Sequence, residues 1–288
     1  LPKKEQPEDE PMDQAEALRQ WNSAAAGWAK WEPVHNHSLA AATVAMLERA
    51  GVTAGSRVID IACGAGDQTL AAARRVGPDG SVLATDIAAA MLDYVTAAAR
   101  LSGLGNIETL ACGAQDLPRD RGGFDAAICR LCLMLLADPD AAMAAVYGVL
   151  RPGGGFGAVV IGPPAANPFY AGAIATLRRH AGKPAPAAGP GLYALADTTV
   201  LRALFARAGF VEIEVTTVES SLRVASAEEG RALIQEAAGA VRAIIGDQPE
   251  AVQAAAWAEV LEGLRRFETP EGLVAPAQYH VIGGRKPA

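Results

Sequence analysis

Basic clusters, long apolar runs and paired cysteines are all scarce in this chain of 288 residues, and each scarcity excludes something. Lys and Arg number 25 against 32 Asp and Glu, a net charge of -7, and no basic run exceeds two residues. A polyanion is repelled by such a surface, so no nucleic-acid partner is expected. No apolar stretch of about 18 residues runs without a charge or a Gly/Pro break, which argues against a membrane span. The opening residues Leu1-Pro2-Lys3-Lys4-Glu5 carry no apolar leader, so no secretory signal is expected. The 4 cysteines form no paired framework and suit a reducing, cytoplasmic setting. What is present is length and apolarity: the chain is 51% hydrophobic and can bury its own core without a disulfide or metal staple.

Organisation follows from periodicity. Residues 1–12 are charged and Pro-rich and read as a disordered leader. A helix is expected from about Asp13 to Trp31, ended by Pro33, and a second from about Ser38 to Ala50, so 13–50 forms an N-terminal helical lid. From Arg57 onward, short apolar runs at 57–62, 82–87, 107–112, 124–130 and 155–161 alternate with Ala-rich helical stretches. That alternation predicts an α/β fold: a doubly wound, mostly parallel sheet covered on both faces. Residues 162–194, with Pro163, Pro164, Pro184, Pro186 and Pro190, read as loop. A helix at about 197–208, a strand at 210–218, helical segments at 226–246 and 249–267, and a last strand near 277–283 complete the chain. The expected units are a core at 51–224, a helical insertion or cap at 225–272 and a final core strand at 273–288, seven strands in all.

The chemistry concentrates in Val58-Ile59-Asp60-Ile61-Ala62-Cys63-Gly64-Ala65-Gly66, a strand running into a Gly-x-Gly turn and then a helix. Glycine is needed where the backbone turns sharply and a ligand comes close. The dinucleotide fingerprint GxGxxG also uses such a turn, but it requires Gly where this chain has Thr69. Asp60, just upstream, would repel a pyrophosphate and suits a cationic ligand without phosphate, such as S-adenosylmethionine. Asp86 ends the next strand at the spacing of an acid that accepts from ribose hydroxyls, a feature shared by both cofactors. Asp86 can equally serve a helix N-terminus.

These residues carry a resemblance. VIDIACGAGDQTL (58–70), VLATDIAAAML (82–92), GAQDLP (113–118), FDAAICR (124–130) and VLRPGGGF (149–156) resemble the successive motifs of class I S-adenosylmethionine-dependent methyltransferases, of the ubiquinone/menaquinone-biosynthesis (UbiE-type) small-molecule group. The resemblance implies a seven-stranded Rossmann-like methyltransferase sheet and methyl transfer from S-adenosyl-L-methionine, leaving S-adenosyl-L-homocysteine. It implies that Asp60 orients the turn and the methionine moiety, and that Ala62, Gly64 and Gly66 approach the cofactor through their backbone. Asp86 would hold the ribose, Ile87 and Met91 the adenine face, Ala114 and Gln115 its edge, and Arg130 would turn its carbonyl to the methionine amino group. The chain departs from the pattern at Gly113, where the family often has Asp, so the adenine amino group falls to Gln115, Asp116 or backbone.

Other residues were weighed against plainer roles. His35 and His37, between the expected helices, are candidate general bases or solvated loop and capping residues. Trp21, Trp28 and Trp31 share one helical face, as a lid or as core packing. Tyr170 and Tyr193 are candidate pocket residues, with Trp28 and Trp31. Arg178-Arg179-His180 reads as a solvated face, with attraction of an acidic acceptor as the alternative. Cys129-x-x-Cys132 lacks the further ligands zinc needs, so no metal is expected and both thiols read as inert packing, as does Cys63. The expected partner is a small, fairly apolar acceptor (O-, C-, N- or S-), with a homodimer as the assembly to test. Two alternatives stay open: an NAD(P)-dependent oxidoreductase, and an S-adenosylmethionine-binding protein with another activity.

Overall fold

The protein is described by a computed structural model over residues 14–184 and 189–288. The expected leader at 1–12, Asp13 and Pro186 lie outside the described residues. The apolar runs become β1 (Arg57–Ile61), β2 (Ser81–Asp86), β3 (Ile107–Ala111), β4 (Phe124–Arg130) and β5 (Leu150–Ile161). Their near-continuous apolar character follows from burial on both faces: in β1 every residue after Arg57 is buried. They pair in parallel because α2 (Asp67–Val76), α3 (Ala89–Leu101) and α4 (Pro139–Val149) carry crossovers between them. The order β3-β2-β1-β4-β5 reverses direction at β1, and a ligand crevice opens at the carboxyl ends of strands at such a switch.

Two antiparallel strands, β6 (Val211–Val224) and β8 (Gly272–Arg285), extend the sheet in the order β5-β8-β6. The two-residue β7 (Glu268–Thr269) pairs with the start of β8, so the sheet has eight strands where seven were expected. The extra strand is the return of the insertion through a tight hairpin, with Gly272 at φ +112° in the left-handed region that favours glycine. β6 and β8 outrun β5: their pairing continues from Ser220↔Ala277 to Val224↔Leu273, beyond the last β5 pair, Ile161↔Tyr279. Pro276 sits in that overhang, where β8 has no β5 neighbour to receive a backbone N–H.

α1 (Gln14–Arg49) is one helix, and the break expected at Pro33 does not occur. Proline deletes one backbone hydrogen bond, but packing on both sides outweighs that loss. Trp31 enters one apolar core, while Leu39, Ala42 and Met46 enter another. The last turns of α1 lie on the sheet itself, since a Cβ at Gly155 or Gly157 would fall on the carbonyl oxygens of Ala50 and Met46.

The stretch expected as loop after β5 contains α5 (Pro168–Ala181). Its end signals were the usual ones: proline in the first turn, and Gly182 at φ +65° with Gly182 N–H and Lys183 N–H donating to the carbonyls of Arg179 and Arg178. α6 (Thr198–Arg207) covers the sheet, and α7 (Ala227–Ala237), α8 (Gly239–Ala243) and α9 (Glu250–Arg265) form the insertion. Leu222, Val224 and Leu273 from the strand overhang join Phe169, Leu233, Trp257 and Leu264 in a second core separate from that under the parallel sheet. The cap therefore stands on an extension of the last two strands.

Candidate functional site

A cavity of about 390 Å³ opens at the carboxyl ends of β1, β2 and β4, within the usual size of a small-molecule site. The turn after β1 forms its floor. Ala62 and Gly64 line it at φ 54° and φ 56°, and Leu131, after β4, lines it at φ 60°. Two non-glycine residues in the left-handed region each cost about 1–2 kcal/mol, strain of the kind that gathers at ligand sites.

Asp60 and Gly66 are not in the cavity wall. Asp60 is fully buried beneath the turn, where Thr69 Oγ1 donates to it at 2.5 Å and Gln68 Nε2 at 3.4 Å. Gln68 Nε2 also donates to the Cys63 carbonyl at 3.0 Å, so Asp60 acts on the turn through its neighbours. Burial raises its carboxyl to about 7. Gly66, at φ +107°, begins α2, and a Cβ there would press on Val95. The residue that replaces the third glycine of a dinucleotide fingerprint, Thr69, is thus committed to Asp60.

Asp86 reaches the cavity from the end of β2. Its two oxygens accept from Ala88 N–H at 2.9 Å and Gly64 N–H at 3.0 Å, which ties β2 to the glycine turn. Its carboxylate also accepts from the Ile87 N–H, and of about four acceptor positions one remains for a ligand hydroxyl. Burial holds its acidity weaker than usual despite these bonds. Ile87, Met91, Cys112, Gly113, Ala114 and Gln115 continue the wall.

Among the described residues Arg130 is the cavity's single basic lining residue, and its guanidinium is spent elsewhere. It pairs with Asp67 at 2.6 Å and donates to Thr43 Oγ1 at 2.9 Å, with 5% of its side chain exposed. Glu32 of α1 joins this cluster by accepting from the Asp67 N–H, and burial raises its carboxyl. Asp138, at the N-cap of α4, is the second acid in the wall. The wall holds two carboxylates and one neutralised guanidinium, which favours a cationic ligand and disfavours a phosphate.

The cap side of the wall comes from Ala17, Gln20, Trp21 and Trp28 of α1 and from Ala240 of α8. Trp28 stands over the turn, so that a Cβ on Gly64 would meet its Nε1 at 2.9 Å. Trp31 is not in the wall; it is buried in the second core and donates to Glu236 at 2.8 Å. Tyr170 and Tyr193 are also outside it, because α5 turns Tyr170 inward toward α1 and Tyr193 donates to the Asn167 carbonyl at 3.3 Å. His35 and His37 lie within α1 rather than in a loop: His37 is exposed, and His35 is buried against Trp28. Arg179 and His180 pair with Glu259 on the cap's exterior, away from the cavity.

Cys129 is fully buried in β4, while Cys132 lines the cavity, both as free thiols. A hydrogen bond with Cys132 and burial push the Cys129 thiol well above its usual range, the environment of an inert cysteine. Among the described residues no three His, Cys, Asp or Glu side chains converge as metal ligands, and no helix is long and apolar enough to cross a membrane. Sequence reasoning missed Gln20, Cys112, Leu135, Leu136, Pro190 and Ala240, whose position in the wall depends on tertiary packing.

Residues 58–154 match the family described as Methyltransferase domain. The ubiquinone/menaquinone biosynthesis C-methyltransferase UbiE of Hahella chejuensis is 39% identical over 109 residues, which is 38% of this chain and 44% of that protein. The match therefore spans less than half of that relative's length. The crystal structure of the [4+2]-cyclase SpnF covers 96% of this chain and 97% of its own at 18% identity and a TM-score of 0.56. The phosphoethanolamine N-methyltransferase 2 of Haemonchus contortus, solved with phosphomonomethylethanolamine and S-adenosylhomocysteine, covers 96% of this chain and 60% of its own at 15% identity and a TM-score of 0.57. At such identity the two structures speak for the fold. The stretch from β1 into β5 is similar to the methyltransferase domain of these relatives, and the cap lies outside the match.

Proposed function

We propose that the protein binds S-adenosyl-L-methionine in this cavity and transfers its methyl group to a small, fairly apolar metabolite. The observation that carries the reading is the charge of the wall: among the described residues Asp86 and Asp138 line the cavity while its one arginine is neutralised by Asp67. That surface suits a sulfonium and an ammonium and gives no counter-charge to a pyrophosphate, which weighs against a nicotinamide dinucleotide. The residues fit the cofactor's other needs. Gly64 leaves a cradle that a Cβ would fill, Asp86 offers an acceptor for a ribose hydroxyl, and Ile87, Met91, Ala114 and Gln115 offer an apolar slot with a polar edge for adenine.

When bound, the cofactor supplies an activated methyl carbon, so in-line displacement by an acceptor atom needs no dedicated base. The protein's part is to hold, align and dry the reactants. Asp60, Thr69 and Gln68 fix the turn from beneath, Arg130 and Asp67 fix the end of β4 against α2, and α1 with the 225–272 insertion covers the site. The same fold also appears in a protein titled a [4+2]-cyclase, so fold alone does not establish methyl transfer. The test is formation of S-adenosylhomocysteine from S-adenosylmethionine with a panel of phenols, quinols and amines. Turnover with at least one acceptor supports the reading; tight cofactor binding without turnover on any would favour a different reaction at the same site.

A further inference from the structure

The cap contains a buried polar cluster that the cofactor cavity does not use. His35 is 6% exposed, and its Nδ1 has no hydrogen-bond partner. Its Nε2 lies 3.5 Å from Tyr170 Oη, at the long limit of a hydrogen bond. Tyr279 Oη and Ser38 Oγ pair at 2.7 Å nearby. The phenols of Tyr279 and Tyr193 lie close enough to Tyr170 to oppose its ionisation. A buried ring nitrogen without a partner is rare in folded proteins and points to a group that is to fill the position. The cluster is also neutral at physiological pH: burial lowers the His35 imidazole to about 4 and raises the Tyr170 and Tyr193 phenols. So weak a base is better suited to hold an oxygen than to remove its proton.

Trp28 touches both this cluster and the cavity, whose wall it joins. The Trp28 indole stacks on His35 with ring centroids 4.5 Å apart, and its Nε1 occupies the space above Gly64. A ligand seated against Gly64 must displace that edge of the indole, and the same indole covers one face of the His35 ring. We propose that His35 and Tyr170 form a subsite for a neutral oxygen function, hydroxyl or carbonyl, on the methyl acceptor, and that a cofactor at Gly64 opens it by displacing Trp28. The subsite rests on the cofactor reading above, yet its residues come from α1, α5 and β8, all outside the matched stretch 58–154. Neutral His35 can donate to a carbonyl or accept from a hydroxyl through Nδ1, whereas the charge that reaches this cluster, Arg130, is already paired with Asp67 and so favours a neutral group over a carboxylate or ammonium.

The experiment is calorimetric titration of the full chain, with and without saturating S-adenosylhomocysteine, using 1-naphthol, 1-naphthoate and 1-naphthylmethylamine. The expected result is 1-naphthol binding at least tenfold tighter than either charged probe, and at least tenfold tighter with S-adenosylhomocysteine than without. Tyr170→Phe, which keeps the packing, should weaken 1-naphthol about fivefold and His35→Leu about tenfold, with S-adenosylhomocysteine affinity within twofold of the parent. Trp28→Ala should bind 1-naphthol without S-adenosylhomocysteine. Equal affinity for the three probes, or 1-naphthol affinity unchanged in both Tyr170→Phe and His35→Leu, overturns the subsite. Failure of the parent to bind S-adenosylhomocysteine overturns the cofactor reading instead, and Trp28→Ala with 1-naphthol alone still decides the subsite.

Discussion

The two walls of the cavity are built in opposite ways. On the sheet side the polar groups in and beneath the wall are bound to close neighbours: Asp60, under the turn, by Thr69 and Gln68, and Asp86 by the backbone N–H groups of Gly64 and Ala88. On the cap side the wall is made by side chains of α1 and α8, and behind Trp28 the buried His35 keeps an unpaired nitrogen beside Tyr170. A wall made of strand ends and backbone is rigid and suited to a constant ligand. A wall made of side chains on separate helices can vary, which suits a ligand that differs from one protein to another.

The largest effect should come from Gly64→Val. A branched side chain at φ +56° strains the turn and fills the space against Trp28, so S-adenosylhomocysteine affinity should drop on the order of 100-fold or more. Gly182→Val is the control, since Gly182 has φ +65° but nothing within 4 Å of an added Cβ. It should cost stability and leave ligand affinity alone. Equal affinity losses in both variants would reduce Gly64 to a folding requirement. Next, Asp86→Ala should weaken S-adenosylhomocysteine by about 1–3 kcal/mol, the worth of charge-assisted hydrogen bonds. Unchanged affinity in a calorimetric titration would remove Asp86 from the site.

The groups buried behind the two walls should also titrate in opposite senses. Burial raises Asp60 from 3.8 to about 7, so on its account the folded state loses stability as pH rises from about 4 to 7. Burial lowers His35 from 6.5 to about 4, so on its account stability is full above 6.5 and is lost as pH falls toward 4. Each contribution is on the order of 3 kcal/mol, and they offset in the shared window. His35→Phe should therefore make the protein more stable toward pH 4, and Asp60→Asn less stable, in denaturant titrations across that range. Parallel slopes in the two variants would contradict the assignment. The smallest effect belongs to the cap's surface: Glu236→Gln, which breaks an exposed pair with Lys30 at 2.7 Å, should cost less than about 1 kcal/mol in the same assay.

The same division explains what the sequence made legible. The turn, Asp86 and the parallel strands were readable because each rests on local order: an apolar run, a glycine pair, an acid at a strand end. Pro33 misled because the hydrogen bond it removes was weighed without Trp31, Leu39 and Met46, whose packing holds α1 together across it. α5 was readable in principle from Pro168 and Gly182, but the surrounding prolines obscured those end signals. Trp31, Tyr170 and Tyr193, expected in the pocket, lie outside its wall, since their orientation depends on α7, α5 and β8, far away in the chain.

The most direct test of the central claim is thermal unfolding of the full chain with S-adenosylhomocysteine, S-adenosylmethionine and NADH in parallel. At ~100-fold excess over Kd a specific ligand adds about 2.7 kcal/mol. For a chain of this size that raises Tm by several degrees, at about 2–4 °C per kcal/mol. The account predicts a rise with both sulfur ligands and none with NADH. A rise with NADH alone would contradict it, because a wall carrying Asp86, Asp138 and an arginine paired to Asp67 should not hold a pyrophosphate.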